Sequence, residues 1–154
     1  MQLKEILKKE AITIDLKATT KEEVIKELVA LVSDMYAIKG KKELIENVTK
    51  REKLGSTGMG QGIAIPHCKY DKIDNIYLAI GISKEGVDFK ALDGEPVYIF
   101  FILIAPSTSA GPHLKALARV SRLLRDEYFC RSLRNASTAQ AVYNIVISDD
   151  EKHL

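Results

Sequence analysis

Apolar positions along the chain fall into two alternating rhythms. Val24, Ile25, Leu28, Leu31, Val32 and Met35 recur at helical spacing and share one stripe, opened by a capping box of Thr20 with Glu23 and running to about Tyr36. Leu44, Ile45 and Val48 give a second helix from Lys41 to about Lys53, entered at Gly40 and stopped near Gly55. Strand patterns lie on either side. After one or two amphipathic turns in Met1 to Lys9, Ile12 and Ile14 alternate with Thr13 and Asp15 in a short strand within Ala11 to Leu16. Asn75 to Ser83 is apolar enough to be buried on both faces, and Val97 to Ile104 is an unbroken apolar run suited to the centre of a sheet, ended by Pro106. Gly86, Asp93-Gly94 and Pro96 mark turns between these two strands.

Helical spacing then returns. Ser107 to Gly111 is a polar loop, Pro112 suits a first turn, and Leu114, Leu117, Ala118, Ser121 and Leu124 form the stripe of a helix from His113 to about Leu124. A short helix follows from Glu127 to about Leu133, and Ser137 with Gln140 caps a last one through Val142 and Ile145-Val146. Residues 148–154, SDDEKHL, read as a frayed tail. The alternation predicts an α/β fold in one domain spanning 1–154, with a mixed β-sheet flanked by helices on both faces.

Composition narrows the functions available. A chain of 154 residues is long enough to bury a real core, and 46% hydrophobic against 29% charged residues is ordinary for a globular protein. The net charge of +2, without a basic run or aromatic ladder, argues against a nucleic-acid partner. Val97 to Ala105 is too short to span a bilayer and MQLKEILKKEAI lacks a signal peptide's apolar stretch, so a cytoplasmic location is expected. Cys68 and Cys130 have neither disulfide nor zinc spacing.

The chemistry concentrates in Arg51 to Tyr70, REKLGSTGMGQGIAIPHCKY. Glycines 55, 58, 60 and 62 free the backbone for positive φ and leave amides without side chains above them, which suits an anion against the segment Gly58, Met59, Gly60, Gln61 and Gly62. A short strand, Ile63-Ala64-Ile65, then delivers Pro66 and His67. A neutral imidazole beside an anion site points to phosphoryl chemistry at nitrogen, because such a nitrogen can attack phosphorus and later leave. An ordinary surface histidine after a glycine turn is the plain alternative. A P-loop is excluded because Gln61-Gly62, not Lys-Ser/Thr, follows Gly60; a dinucleotide fingerprint is excluded because Ile63 stands where its third glycine belongs. Cys68, next along an extended strand, should face away from whatever His67 faces. Arg51 falls in a helix's last turn, where a cation is favourable without further function, but where a guanidinium could also neutralise a phosphoryl group. His113 stands in a first helical turn just beyond the central strand, a place where anions collect.

The stretch RExxGSTGxGxGIAIPH resembles the signature of the fructose/mannitol-type EIIA proteins of the bacterial phosphoenolpyruvate-dependent sugar phosphotransferase system, a family that includes the nitrogen-type regulatory EIIA proteins. The resemblance extends from about Leu7 to Ile147, through Val87-Asp88-Phe89, Asp93-Gly94-Glu95-Pro96-Val97 and His113-Leu114 with Leu117-Ala118. It implies that His67 accepts a phosphoryl group from HPr through Nε2 and passes it to a cysteine of an EIIB protein or domain, with the membrane EIIC reached through EIIB, and with no cofactor, metal or direct sugar contact. It also implies that Arg51 and His113 are the accompanying active-site arginine and second histidine. The stretch HLKALARVSRLLRD is closer to the fructose-type pattern, which favours sugar uptake over the regulatory alternative. A metal-dependent hydrolase built on His67, His113 and either Cys68 or an aspartate is disfavoured, since no His-Glu-x-x-His helix is present.

Overall fold

The computed structural model describes residues 1–153. After a 3-10 turn at Leu3–Glu5 the elements run β1 (Leu7–Thr13), α1 (Lys21–Tyr36), α2 (Lys41–Lys53), β2 (Gly58–Gly60), β3 (Ile63–Ala64), β4 (His67–Tyr70), β5 (Tyr77–Val87), β6 (Val97–Pro106), α3 (Ala110–Leu124), α4 (Glu127–Asn135) and α5 (Ala139–Glu151). The six-stranded sheet has the order β1-β5-β6-β3-β2, with β4 also lying along β6. It is mixed: β5 runs antiparallel to β6, whereas β3 and β4 run parallel to it, Ile63 opposite Ile99 and His67 opposite Leu103. The expected α/β architecture is therefore the one found.

β6 sits at the centre because it has no polar face. Phe100 and Phe101, neighbours in the strand, are both fully buried and point to opposite sides. Phe100, Ile102 and Ile104 join Leu28, Val32, Leu44, Val48 and Phe89 in a core beneath α1 and α2. Phe101 and Leu103 join Ile80, Val120, Phe129, Val142 and Val146 in a second core beneath α3, α4 and α5. Each buried aliphatic or phenyl side chain contributes about 1.5–3 kcal/mol, so the sheet is held from both sides by comparable layers.

Most boundaries follow the sequence signals. At α1 the Glu23 amide donates to Thr20 Oγ1 at 3.3 Å while the Thr20 hydroxyl donates to Glu23 Oε1 at 2.9 Å. Its buried face includes Val29 in place of Met35, which is 39% exposed. The last helix is capped one residue later than expected, by Thr138, whose hydroxyl accepts from the Ala141 amide at 3.0 Å. β1 begins at Leu7, earlier than expected, because Lys8, Lys9 and Glu10 form an exposed irregular stretch that hides the strand's alternation.

The expected frayed tail is corrected as well. α5 continues to Glu151, and Leu154 lies outside the described residues. Asp150 is 1% exposed, accepts from the Leu3 amide at 2.7 Å and pairs with Arg119 Nε at 2.6 Å. One carboxylate thus fastens both chain ends to α3. Asp150→Ala leaves the partly buried Arg119 guanidinium without its carboxylate partner, and a loss of up to roughly 3 kcal/mol in urea unfolding is expected; a change below about 1 kcal/mol would mean that the pair is dispensable.

Candidate functional site

β3 and β4 are two pieces of one path along the edge of β6, interrupted at Ile65-Pro66. Proline has no N–H to donate to the ladder, so the pairing with β6 breaks here, while the Pro66 carbonyl still accepts from the Leu103 amide at 3.0 Å. Strand alternation continues through the interruption and keeps His67 on the face of Ile63, Ile65 and Leu103, against His113 of α3. Cys68 goes to the other face, 7% exposed within the core under α1 and α2, and burial pushes its thiol up to about 12. The side chains thus point to opposite faces of the strand as expected, although Cys68 still borders the cleft that His67 lines.

His67 and His113 meet across this edge, ring centroids 5.6 Å apart and nearly perpendicular at 77°. β4 brings His67 and Lys69 into the cleft, α3 brings His113, and the end of α2 brings Lys50, Arg51 and Leu54. His67 is half-buried. Its Nδ1 lies 2.8 Å from the Ile65 carbonyl oxygen. A carbonyl can only accept, so Nδ1 carries the proton and Nε2 keeps its lone pair. His113 is 6% exposed, and its Nε2 is buried without a hydrogen-bond partner among the described residues. Arg51 Nη1 donates to the Gly55 carbonyl at 2.9 Å. Arg51, Lys50 and Lys69 take part in no ion pair among the described residues, which leaves the cleft positive.

Burial lowers the His67 imidazole below its usual value, with Arg51 acting in the same direction and the Ile65 hydrogen bond opposing. Burial, helped by His67 and Lys69, pulls His113 down to about 4. Both rings are therefore neutral at pH 7. The sign for stability follows: an unfolded histidine titrates near 6.5, so below that value the unfolded chain binds protons that the folded rings refuse. Stability contributed by this refusal is present above pH 6.5 and declines as pH falls toward 4. Urea midpoints should fall across that window in the native protein and fall less steeply in His113→Gln; equal slopes would remove His113 from the account.

The segment 58–62 does something other than what was expected. Gly58–Gly60 is strand β2, paired antiparallel with β3. Gln61 and Gly62, at φ 58° and 81°, make the reversed turn between them. The Gly58 amide donates to Ser56 Oγ at 3.0 Å and the Gln61 amide to the Asp93 carboxylate at 3.0 Å. These donors are engaged, and a carboxylate at the turn repels anions. None of Gly58, Met59, Gly60, Gln61 or Gly62 lines the cleft of His67. Gly58 is needed for close approach instead, since a Cβ there would come within 2.9 Å of the Ala91 backbone.

Several side chains at or beside the site went unnoticed in the sequence, Lys50 among them. Leu54 is 85% exposed at the cleft's rim, and Lys69 adds to its charge. Glu52 is buried to 6% exposure beneath Arg51. Its signal was present: Leu44, Val48 and Glu52 continue one helical stripe at intervals of four.

The cleft thus presents an imidazole with a free nitrogen among cations that make no ion pair among the described residues. The chain is a member of the EIIA type 2 family of the phosphoenolpyruvate-dependent sugar phosphotransferase system, whose profile matches residues 5–149. It is 37% identical over 146 residues to a nitrogen regulatory protein of Bradyrhizobium diazoefficiens, covering 95% of each chain. It is 35% identical over 151 residues to the fructose-specific EIIABC component of Bacillus subtilis, covering 98% of this chain and 24% of that longer protein. Among solved structures, nitrogen regulatory protein IIA-Ntr of Neisseria meningitidis superposes with a TM-score of 0.87 at 33% identity, covering 94% of this chain and 98% of that one.

Proposed function

We propose that the protein is a phosphoryl carrier that accepts its group on His67 Nε2 from the phosphohistidine of HPr and delivers it to a cysteine of a cognate EIIB, serving sugar uptake through EIIC. The observation that carries this reading is the 2.8 Å contact of His67 Nδ1 with the Ile65 carbonyl, which leaves the outer nitrogen as the nucleophile. In the first step the Nε2 lone pair forms a new N–P bond as the donor's N–P bond breaks and the donor imidazole leaves with that electron pair. In the second, an EIIB thiolate forms an S–P bond and His67 leaves in the same way. Neither step needs a cofactor, because the group stays covalently held throughout, and the work of the protein is positioning and charge compensation. Arg51 is the principal counter-charge for the phosphoryl oxygens, with Lys50 and Lys69 beside it. His113 uses its unpartnered Nε2 to hydrogen-bond or orient the group from the opposite wall. Leu54 gives the rim an apolar contact for whole-protein partners. Among the described residues no helix is long and apolar enough to cross a membrane.

A second role, phosphorylation-controlled regulation of other proteins, is favoured by a separate observation: the Bradyrhizobium and Neisseria relatives, matched along almost their whole length, are named nitrogen regulatory proteins. One experiment separates the roles. Protein charged with labelled phosphate by phosphoenolpyruvate, enzyme I and HPr is mixed with purified EIIB proteins. Label arriving on an EIIB cysteine supports transport; label retained on His67, with binding to other proteins that depends on it, supports regulation.

A further inference from the structure

Glu52, next to Arg51 in α2, is a buried carboxylate whose ion-pair and hydrogen-bond partners are inside the protein. It pairs with Lys21 Nζ of α1 at 2.9 Å, accepts from the Thr57 amide at 3.1 Å and receives the Thr57 hydroxyl. Thr57 itself is 5% exposed. Burying such a pair brings little net stability, because removing both charges from water costs about what their attraction returns. Its contribution lies in geometry. The segment that Glu52 holds is the one on which both reactive groups rest. Gly55, two residues before Thr57, offers the carbonyl that receives Arg51 Nη1 at 2.9 Å. The Thr57 carbonyl accepts from the Ile65 amide at 3.1 Å, and the Ile65 carbonyl in turn fixes His67 Nδ1 at 2.8 Å. Two branches thus leave a single anchored turn, one to the guanidinium and one to the imidazole.

We infer that the buried Glu52, with Lys21 and Thr57, is a positioning residue that sets the orientation of Arg51 and the proton position of His67 together. The inference rests on the carrier reading for its rate consequence, but not for its structural one. Glu52→Gln keeps the side chain's volume and an oxygen for the Thr57 amide while losing the charge that holds Lys21. Thr57→Val removes only the hydroxyl contact and keeps the backbone bonds.

In Glu52→Gln, kcat for phosphorylation by phospho-HPr should fall by about 10- to 100-fold, the scale of a misplacement on the order of 1 Å, with KM little changed. Thr57→Val should change kcat in the same direction by a smaller factor. Nitrogen NMR of the His67 ring, on unphosphorylated protein, should show a single Nδ1–H tautomer in the native chain and a mixture of tautomers in Glu52→Gln. A purely structural role would lower thermal stability without moving either reading. A folded Glu52→Gln protein with native kcat or native tautomer overturns the proposal; if that variant does not fold, Thr57→Val decides by the same two readings. Should the tautomer shift as expected while the native protein accepts no phosphoryl group, the positioning role stands and the carrier reading falls.

Discussion

His67→Ala is expected to reduce phosphoryl incorporation from phosphoenolpyruvate, enzyme I and HPr to background, a loss of at least about 10⁴-fold, on the scale seen when a covalent nucleophile is deleted. The fold should survive. His67 is half-buried, and its one hydrogen bond within the protein is to the Ile65 carbonyl, so truncation costs about 1 kcal/mol. The native protein should gain a single acid-labile phosphoryl group, detected by mass spectrometry before and after acid treatment. A phosphorylated alanine variant would move the acceptor elsewhere. His113 is the nearest alternative, but at 6% exposure it is the less accessible of the two rings.

Arg51→Ala carries the second largest expected effect, a fall in transfer rate of about 10²–10³-fold, comparable to removing one preorganised charge stabiliser in other active sites. The competing explanation, a cation placed favourably at the end of α2, predicts a different pattern: about 0.3–1 kcal/mol of stability lost and no change in rate. Rapid-quench phosphorylation combined with thermal unfolding separates the two. Arg51→Lys sharpens the test, because lysine restores the charge but not the planar fork that can hold the Gly55 carbonyl and a phosphoryl oxygen together. An intermediate rate is expected; native rates in both variants would leave Arg51 with a structural role alone.

What could be read from the sequence was whatever depends on neighbours in the chain. The capping box at Thr20, the apolar run of β6 and the placement of His67, Arg51 and His113 near one another followed from local signals and from a long shared motif. The hairpin was misread because glycine content announces freedom and not its use. Gln61 finds its acceptor in Asp93, 32 positions away, and no local pattern shows that such a bond will occupy the amide. Glu52 was passed over for a similar reason: beside Arg51 it looks like a solvated helix residue until Lys21 and Thr57 are seen to close around it. The tail was misjudged because seven mostly polar letters conceal one aspartate that is committed to Leu3 and Arg119.

Cys68 follows His67 in the chain yet faces the other layer of the molecule, largely buried and with its thiol pushed up to about 12. On the proposed reading, a protein whose cargo is destined for sulfur has a sulfur atom one residue from the loading point and keeps it out of the exchange. The pleat of β4 points the two side chains apart, and burial keeps the Cys68 thiol protonated at pH 7. The charged protein is thereby prevented from discharging into itself, and its cargo waits for a thiolate that arrives from another molecule.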